Sequence, residues 1–223
     1  QARDPQMITQ SSIGIRMAFT GDLALAGDII SAVRPKDASS LFHLRQLEPE
    51  LKNSDVLVVN LEGPIGNSGP PRPGVTSRLF NDVAVLEWLK RFPVVVCCLA
   101  NNHMMDFGGE ALLRTQRLLS AHGIHHVGAG ENAEQASAAL IMTVKGTKLA
   151  ILNATTDEKH VGSILAESGS PGSAAIGDPI DFIERVAALA RTVDVVIVNL
   201  HWGFEYFHNP APEQVDFCRR LAV

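Results

Sequence analysis

Four apolar, strand-like runs in this chain each end on a side chain that can bind a cation or move a proton. No other feature constrains the fold as strongly. Residues 15–20 lead into Gly21-Asp22, and residues 55–60 into Leu61-Glu62-Gly63. Residues 94–99 lead into Ala100-Asn101-Asn102-His103, and residues 193–199 into Leu200-His201-Trp202-Gly203. Runs of four to eight β-branched and apolar residues read as buried strands. The run 193–200 is nearly continuous, the pattern of a strand covered on both faces. Helical patterns fall between such runs. Residues 81–90 form one, with Asn81 as its N-cap, and residues 110–122 another, with Gly123 just past its end. Asp178-Pro179 opens a third, reaching about Arg191, and Pro212 opens a last one. Residues 124–127, 139–144 and 148–153 read as short strands, the last two joined by a Lys145-Gly146 turn. This alternation predicts a layered α/β fold over residues 14–223, preceded by a polar tail at residues 1–13.

In α/β sheets, ligands bind outside the carboxyl ends of the strands, so the four strand-end groups are expected to converge there. Carboxylate oxygens, an amide oxygen and imidazole nitrogens, with no thiolate, suit a hard-to-borderline divalent ion. Taken singly, each group has a plainer reading. Asp22 can serve as a turn residue, Glu62 as a local cap, and Asn101-Asn102-His103 as a left-handed turn. His201 alone can be a satisfied, partly buried histidine. Their recurrence at four strand ends is what favours a site.

These residues stand in a recognisable order. Gly21-Asp22 is followed by Asn60-Leu61-Glu62-Gly63-Pro64, then Ala100-Asn101-Asn102-His103 with Asp106 and Gly108. Gly128-Ala129-Gly130 with Asn132 comes next, and then His201-Trp202-Gly203 with Glu205-Tyr206. The series resembles the bacterial capsule-synthesis (poly-γ-glutamate, CapA/PgsA-type) family from about Arg16 onward. That family is similar to calcineurin-like metallophosphatases.

The resemblance implies a four-layer α/β/β/α sandwich of the metallophosphatase type. It implies one or two divalent ions (Mn, Fe or Zn), with Asp22 and Glu62 as carboxylate ligands, Glu62 bridging, and Asn102 and His201 on the second ion. His103 would face a substrate oxygen or leaving group, oriented by Asp106. Asn101, Arg78, Trp202 and Glu205 would contact substrate. The implied activity is that of a metal-dependent hydrolase or transferase on an anionic small molecule or polymer, poly-γ-glutamate among them. The alternative is a non-catalytic subunit that binds the polyanion alongside other capsule-machinery proteins. Three departures stand out: Ala24 occupies the position of a usual histidine, Glu62 that of an aspartate, and no Gly-His-x-His follows His201. By resemblance, the domain is expected to continue past Val223.

Composition narrows the classes further. Net charge is −5 with no long basic run, which argues against a nucleic-acid backbone binder. No apolar stretch approaches the roughly 18 residues of a membrane span. Cys97, Cys98 and Cys218 lack metal or redox spacing, so the adjacent pair reads as buried free thiols. His125 and His126 are neighbours on a strand and point to opposite faces, so they do not chelate together. Gly128-Ala129-Gly130 falls short of a dinucleotide fingerprint.

Overall fold

A computed structural model describes residues 14–25, 41–66, 69–73, 78–156, 162–204 and 206–222, with side chains in the first helix described from residue 46 onward. Strands β1 (Met17–Leu23), β2 (Val56–Leu61), β3 (Val95–Cys98) and β4 (His125–Val127) form a parallel sheet in that order. Helices α1 (Leu41–Lys52), α2 (Ala84–Leu89) and α3 (Gly108–Ala121) make the crossovers. A second sheet contains β6 (Leu140–Val144), β7 (Thr147–Thr155) and β9 (Val195–His201), with β6–β7 antiparallel and β7–β9 parallel. Between them in the chain lie β5 (Ala129–Gly130), paired with β8 (Gly172–Ser173), and the short helix α4 (Ala133–Ser137). Helices α5 (Pro179–Ala190) and α6 (Pro212–Leu221) flank β9 in sequence.

Side-chain alternation sorts the strands into layers. Val56, Val58, Val96, Cys98 and Val127 of the first sheet meet Ile151, Leu140, Met142 and Ile197 of the second in an apolar layer between the sheets. The opposite face of the first sheet (Leu57, Val59, Leu61, Val95, Cys97) packs under α2 and α3 through Leu86, Leu89, Leu112 and Leu119. The opposite face of the second (Leu152, Ala154, Val196, Val198) packs under Phe182, Val186 and Phe217 of α5 and α6. The order of layers is therefore α/β/β/α, as the resemblance implied.

Local chemistry explains most boundaries. Lys145 and Gly146 both have positive φ (49° and 82°), the turn that a two-residue β6–β7 hairpin requires. Asp178 caps α5 by accepting from the backbone N–H groups of Ile180 and Asp181 at 2.8 and 3.2 Å. Asp178→Ala is expected to cost about 1 kcal/mol of stability, read as a lowered denaturant midpoint at unchanged slope.

Two expectations are corrected. Asn81 is not a helix cap, because Asp82 accepts from the Ala84 N–H instead. Asn81 is fully buried, accepting from Leu25 N–H at 2.8 Å and donating to the carbonyls of Glu62 and Gly63 at 3.0 Å. A buried amide with both ends satisfied by backbone is a tertiary brace, which local spacing cannot distinguish from a cap. The second correction concerns the depth of β9: both faces carry packing, Ile197 between the sheets and Val196 and Val198 under the helices, but Val195 is 44% exposed and residues 196–201 are only half-buried. Among the described residues, β7 is the one strand that pairs with it.

Candidate metal centre

The site is built where the first sheet's carboxyl ends meet the end of β9. On β1 the register against β2 shifts between Phe19 and Asp22, and Gly21 adopts φ 71°. This bulge brings Asp22 level with Asn60 while still within the strand, rather than just beyond it as the sequence suggested. After β2 the chain turns at Gly63 (φ 86°), where a Cβ would lie 2.7 Å from the Leu79 carbonyl oxygen. Only glycine fits there, and the turn sets Glu62 at the rim.

His201 is the centre of the cluster. Its Nδ1 faces Asn60 Nδ2 at 3.2 Å and Asp22 Oδ1 at 3.6 Å. Its Nε2 faces Asn102 Oδ1 at 3.0 Å and Glu62 Oε1 at 4.0 Å. The two carboxylates thus lie on opposite sides of one imidazole. Asn60 orients the ring: its Oδ1 accepts from Asn101 Nδ2 at 3.2 Å, so its Nδ2 is the end that donates to Asp22 Oδ1 at 2.7 Å. The same amide nitrogen makes Nδ1 of neutral His201 an acceptor and places the proton on Nε2, toward Asn102.

Asp22 is held below the ordinary carboxylate range, first by a hydrogen bond that His201 donates when its ring is protonated and then by the Asn60 amide, while partial burial opposes them. A carboxyl whose folded value is depressed adds stability above its unfolded value and loses it as pH falls through the folded one. The Asp22 side chain is 57% exposed, so screening keeps that contribution small. In His201→Ala the Asp22 carboxyl is expected to titrate at higher pH, followed by its carboxyl carbon resonance. An unmoved midpoint would remove His201 as the cause.

A second unit adjoins the first. His103 Nδ1 lies 2.7 Å from Asp106 Oδ2, and the same oxygen accepts the Leu79 N–H at 2.9 Å. Asp106 is nearly fully buried, so the pair is shielded from water, and the neutral His103 ring donates through Nδ1 and carries its lone pair on Nε2. Asn101 is 1% exposed. Its Nδ2 donates to Asn60 Oδ1 and the Leu61 carbonyl, and its Oδ1 accepts from the N–H groups of His103 (3.2 Å) and Gly63 (3.5 Å). That arrangement makes Asn101 a buried tie between the Glu62 and His103 turns.

The other residues singled out from the sequence are placed as follows. Trp202 packs edge-to-face on Phe217 with ring centroids 5.3 Å apart, in the apolar layer under α6. Arg78 is exposed beside the loop that Asp106 anchors. Glu205 lies outside the described residues. Cys97 and Cys98 are buried free thiols, and burial raises both, Cys98 to about 12, so neither is a nucleophile at neutral pH. His125 is exposed and His126 half-buried, consistent with opposite faces.

Sequence reasoning missed Asn60 as the organiser of the ring, although it stands inside the Asn60-Leu61-Glu62-Gly63-Pro64 string. It also missed Asn153 and Thr155 on β7. Their signal was available: two polar residues, two apart, at the end of the apolar run Leu149-Ala150-Ile151-Leu152.

Among the described residues, no group of three His, Cys, Asp or Glu side chains is gathered closely enough to form a metal shell by itself. With the Asn102 amide included, the donors are of the right kind. Oxygen and nitrogen ligands about 2.0–2.2 Å from an ion sit about 3 Å from one another, the separation of Asn102 Oδ1 from His201 Nε2.

Comparison with known proteins gives a family match. The family described as "Bacterial capsule synthesis protein PGA_cap" matches residues 16–223. The "Capsule biosynthesis protein CapA" of Bacillus anthracis is 27% identical over 93% of this chain and 51% of its own length. A Mycobacterium tuberculosis protein named "Probable polyglutamine synthesis accessory protein" is 34% identical over 75% of this chain and 46% of its own. The chain therefore spans about half the length of these curated relatives. Among solved structures, a phosphatase from Mycoplasma pneumoniae superposes with a TM-score of 0.49 at 18% identity, covering 93% of this chain and 60% of that one. No described helix is long and apolar enough to cross a membrane.

Proposed function

This chain belongs to the bacterial capsule synthesis protein family PGA_cap, and from that premise we propose that its strand-end cluster is the divalent-metal site of a hydrolase or transferase acting on an anionic substrate. The observation that carries this reading is the convergence on one imidazole of Asp22, Asn60, Glu62 and Asn102, from three strands of one sheet, with His201 from the other sheet. Glu62, Asn102 and the Nε2 of His201 would hold one ion, and Asp22 stands on the Nδ1 side, where a second would fall. The mixed oxygen and nitrogen set suits Mn, Fe or Zn. When bound, such an ion supplies Lewis acidity toward an anionic oxygen and toward water.

The chain's own residues do the rest. In the metal-free chain Asn60 fixes the ring plane of His201 by donating to its Nδ1; with an ion held at Nε2 the ring proton would instead sit on Nδ1, on the side of the Asp22 carboxylate. His103, backed by the Asp106 carboxylate, presents Nε2 as a general base when neutral and an acid when protonated. Arg78, exposed and one residue before the Leu79 that Asp106 holds, is the candidate for contact with carboxylate or phosphate oxygens of the substrate. The relatives are named for capsule and polyglutamine synthesis, which favours a polyanionic capsule polymer such as poly-γ-glutamate as substrate, handled together with other capsule-machinery proteins.

A non-catalytic, polymer-binding role is the second reading. It is favoured by the scarcity of charged ligands: among the described residues, no three acidic, histidine or cysteine side chains close on one point. One experiment separates the two. The chain is loaded with Mn, Fe or Zn and assayed for hydrolysis of a phosphodiester and of poly-γ-glutamate, with and without chelator, alongside polymer binding. Turnover that chelation abolishes supports the metal-dependent reading. Polymer binding that survives chelation, without turnover, replaces it with the second.

A further inference from the structure

The proposed site is split between two sheets. Asp22, Asn60, Glu62, Asn102 and His103 belong to the first, whereas His201 ends β9 of the second. The layer between the sheets is almost wholly apolar, and apolar contact alone tolerates sliding because it is non-directional. Something directional must set where His201 meets its partners. We propose that Asn153 and Thr155 of β7 are positioning residues that hold His201 in register with the first sheet.

Asn153 is 3% exposed and reaches both sheets. Its Oδ1 accepts the N–H of Ala100 at 2.6 Å, in the segment that leads into Asn101-Asn102-His103. Its Nδ2 donates to the carbonyl of Asn199 at 3.1 Å, two residues before His201. Thr155, two positions on and directly opposite His201 in the β7–β9 ladder, donates its hydroxyl to the His201 carbonyl at 2.7 Å. That proton is committed, so Thr155 accepts from the Ser163 hydroxyl at 3.1 Å. A third link crosses the same layer, from Asn199 Nδ2 to Cys98 Sγ at 3.1 Å.

The close fit around Asn153 is specific. Gly128 has φ 94°, and a Cβ there would lie 2.0 Å from Asn153 Oδ1. The chain gives up a side chain at residue 128 so that the amide can reach Ala100. A buried, fully satisfied polar seam in an apolar layer defines one alignment, because any slip leaves its donors and acceptors unpaired. Here the alignment is that of His201 with Asn60 and Asn102.

The inference rests on the reading of His201 as a ligand only for its purpose, so its test starts without metal. In the metal-free chain, ring 15N resonances are recorded with histidine-labelled protein, and His201 is assigned by comparison with His201→Gln. The wild type is expected to show a single neutral tautomer protonated at Nε2. Asn153→Ala is expected to keep a cooperative melt but lose that single-tautomer pattern, and to weaken zinc binding about tenfold to a hundredfold, the usual cost of removing an outer partner. Thr115→Ala serves as the control: it removes a buried hydroxyl bonded to Ala111 and Ile65, away from the seam. It should lower stability and leave His201 unmoved. His201 resonances unchanged in Asn153→Ala, or moved equally by the control, overturn the proposal. If Asn153→Ala does not fold, the near-isosteric Thr155→Val decides by the same readout, and unchanged resonances there overturn it. If the wild type binds no zinc, the metal reading fails while the tautomer result stands on its own.

Discussion

Glu62→Ala is expected to strip the chain of bound divalent metal while leaving its melting transition cooperative. The Glu62 carboxylate stands 4.0 Å from His201 Nε2, on the side of the ring where Asn102 Oδ1 also lies. It is the one carboxylate of the cluster on that side, so its loss leaves an amide and an imidazole as donors. Two neutral ligands hold a hard-to-borderline cation poorly. The affinity loss should exceed the roughly tenfold to hundredfold that follows removal of an outer partner. His201→Ala should match it. Asp22→Ala provides the informative contrast, because Asp22 lies across the ring beside Nδ1. If one ion occupies the Nε2 side, Asp22→Ala retains it; if two ions bind, the stoichiometry falls by one. Metal content per chain after reloading and desalting reads all three variants, and full occupancy in Glu62→Ala would sink the assignment.

Asn101→Ala is expected to damage stability and site together. The Asn101 side chain bonds Asn60 Oδ1, the Leu61 carbonyl and the N–H groups of His103 and Gly63 from a buried position. Alanine leaves those groups facing a small void. Each unsatisfied buried polar group costs about 1–3 kcal/mol, so a destabilisation on the order of 3 kcal/mol is expected. Releasing Asn60 also lets its amide rotate, and the ring of His201 loses the donor that fixes its tautomer. Chemical denaturation gives the first quantity and the His201 ring resonances the second. A variant of normal stability with an unmoved His201 would show that Asn101 is not the tie described here.

Much of this was legible in the residues. Apolar β-branched runs alternating with amphipathic segments required layered sheets and helices, and the elements were found within a few residues of their expected places. The Lys145-Gly146 turn, the Asp178 cap and the Gly123 stop depend on interactions within a few residues of one another, so the local sequence suffices to place them. The residues Asp22, Glu62, Asn102 and His201 were likewise visible, because a polar group at the carboxyl end of a strand stands at the rim whether the strand stops just before it or just after it.

Other features depended on contacts between residues far apart in sequence. Asn81 looked like a cap, yet its partners are Leu25, Glu62 and Gly63, brought to it by the packing of β1 and β2. Asp22 looked as if it followed its strand, yet a bulge at Gly21 keeps it inside the ladder. Val193 to Leu200 looked deeply buried, yet among the described residues β9 pairs with β7 alone and is half-exposed, because apolar composition records what a strand can bury, not how many neighbours it has. By itself the sequence determined the layers, the strand ends and the kinds of donor atom set there, since those follow from periodicity and side-chain chemistry. Only the tertiary structure decided that Asn60 and Asn102 face opposite nitrogens of His201, and that Asn153 spans the sheets to hold them there, because hydrogen-bond direction is set by the packing of segments 46 to 141 residues apart.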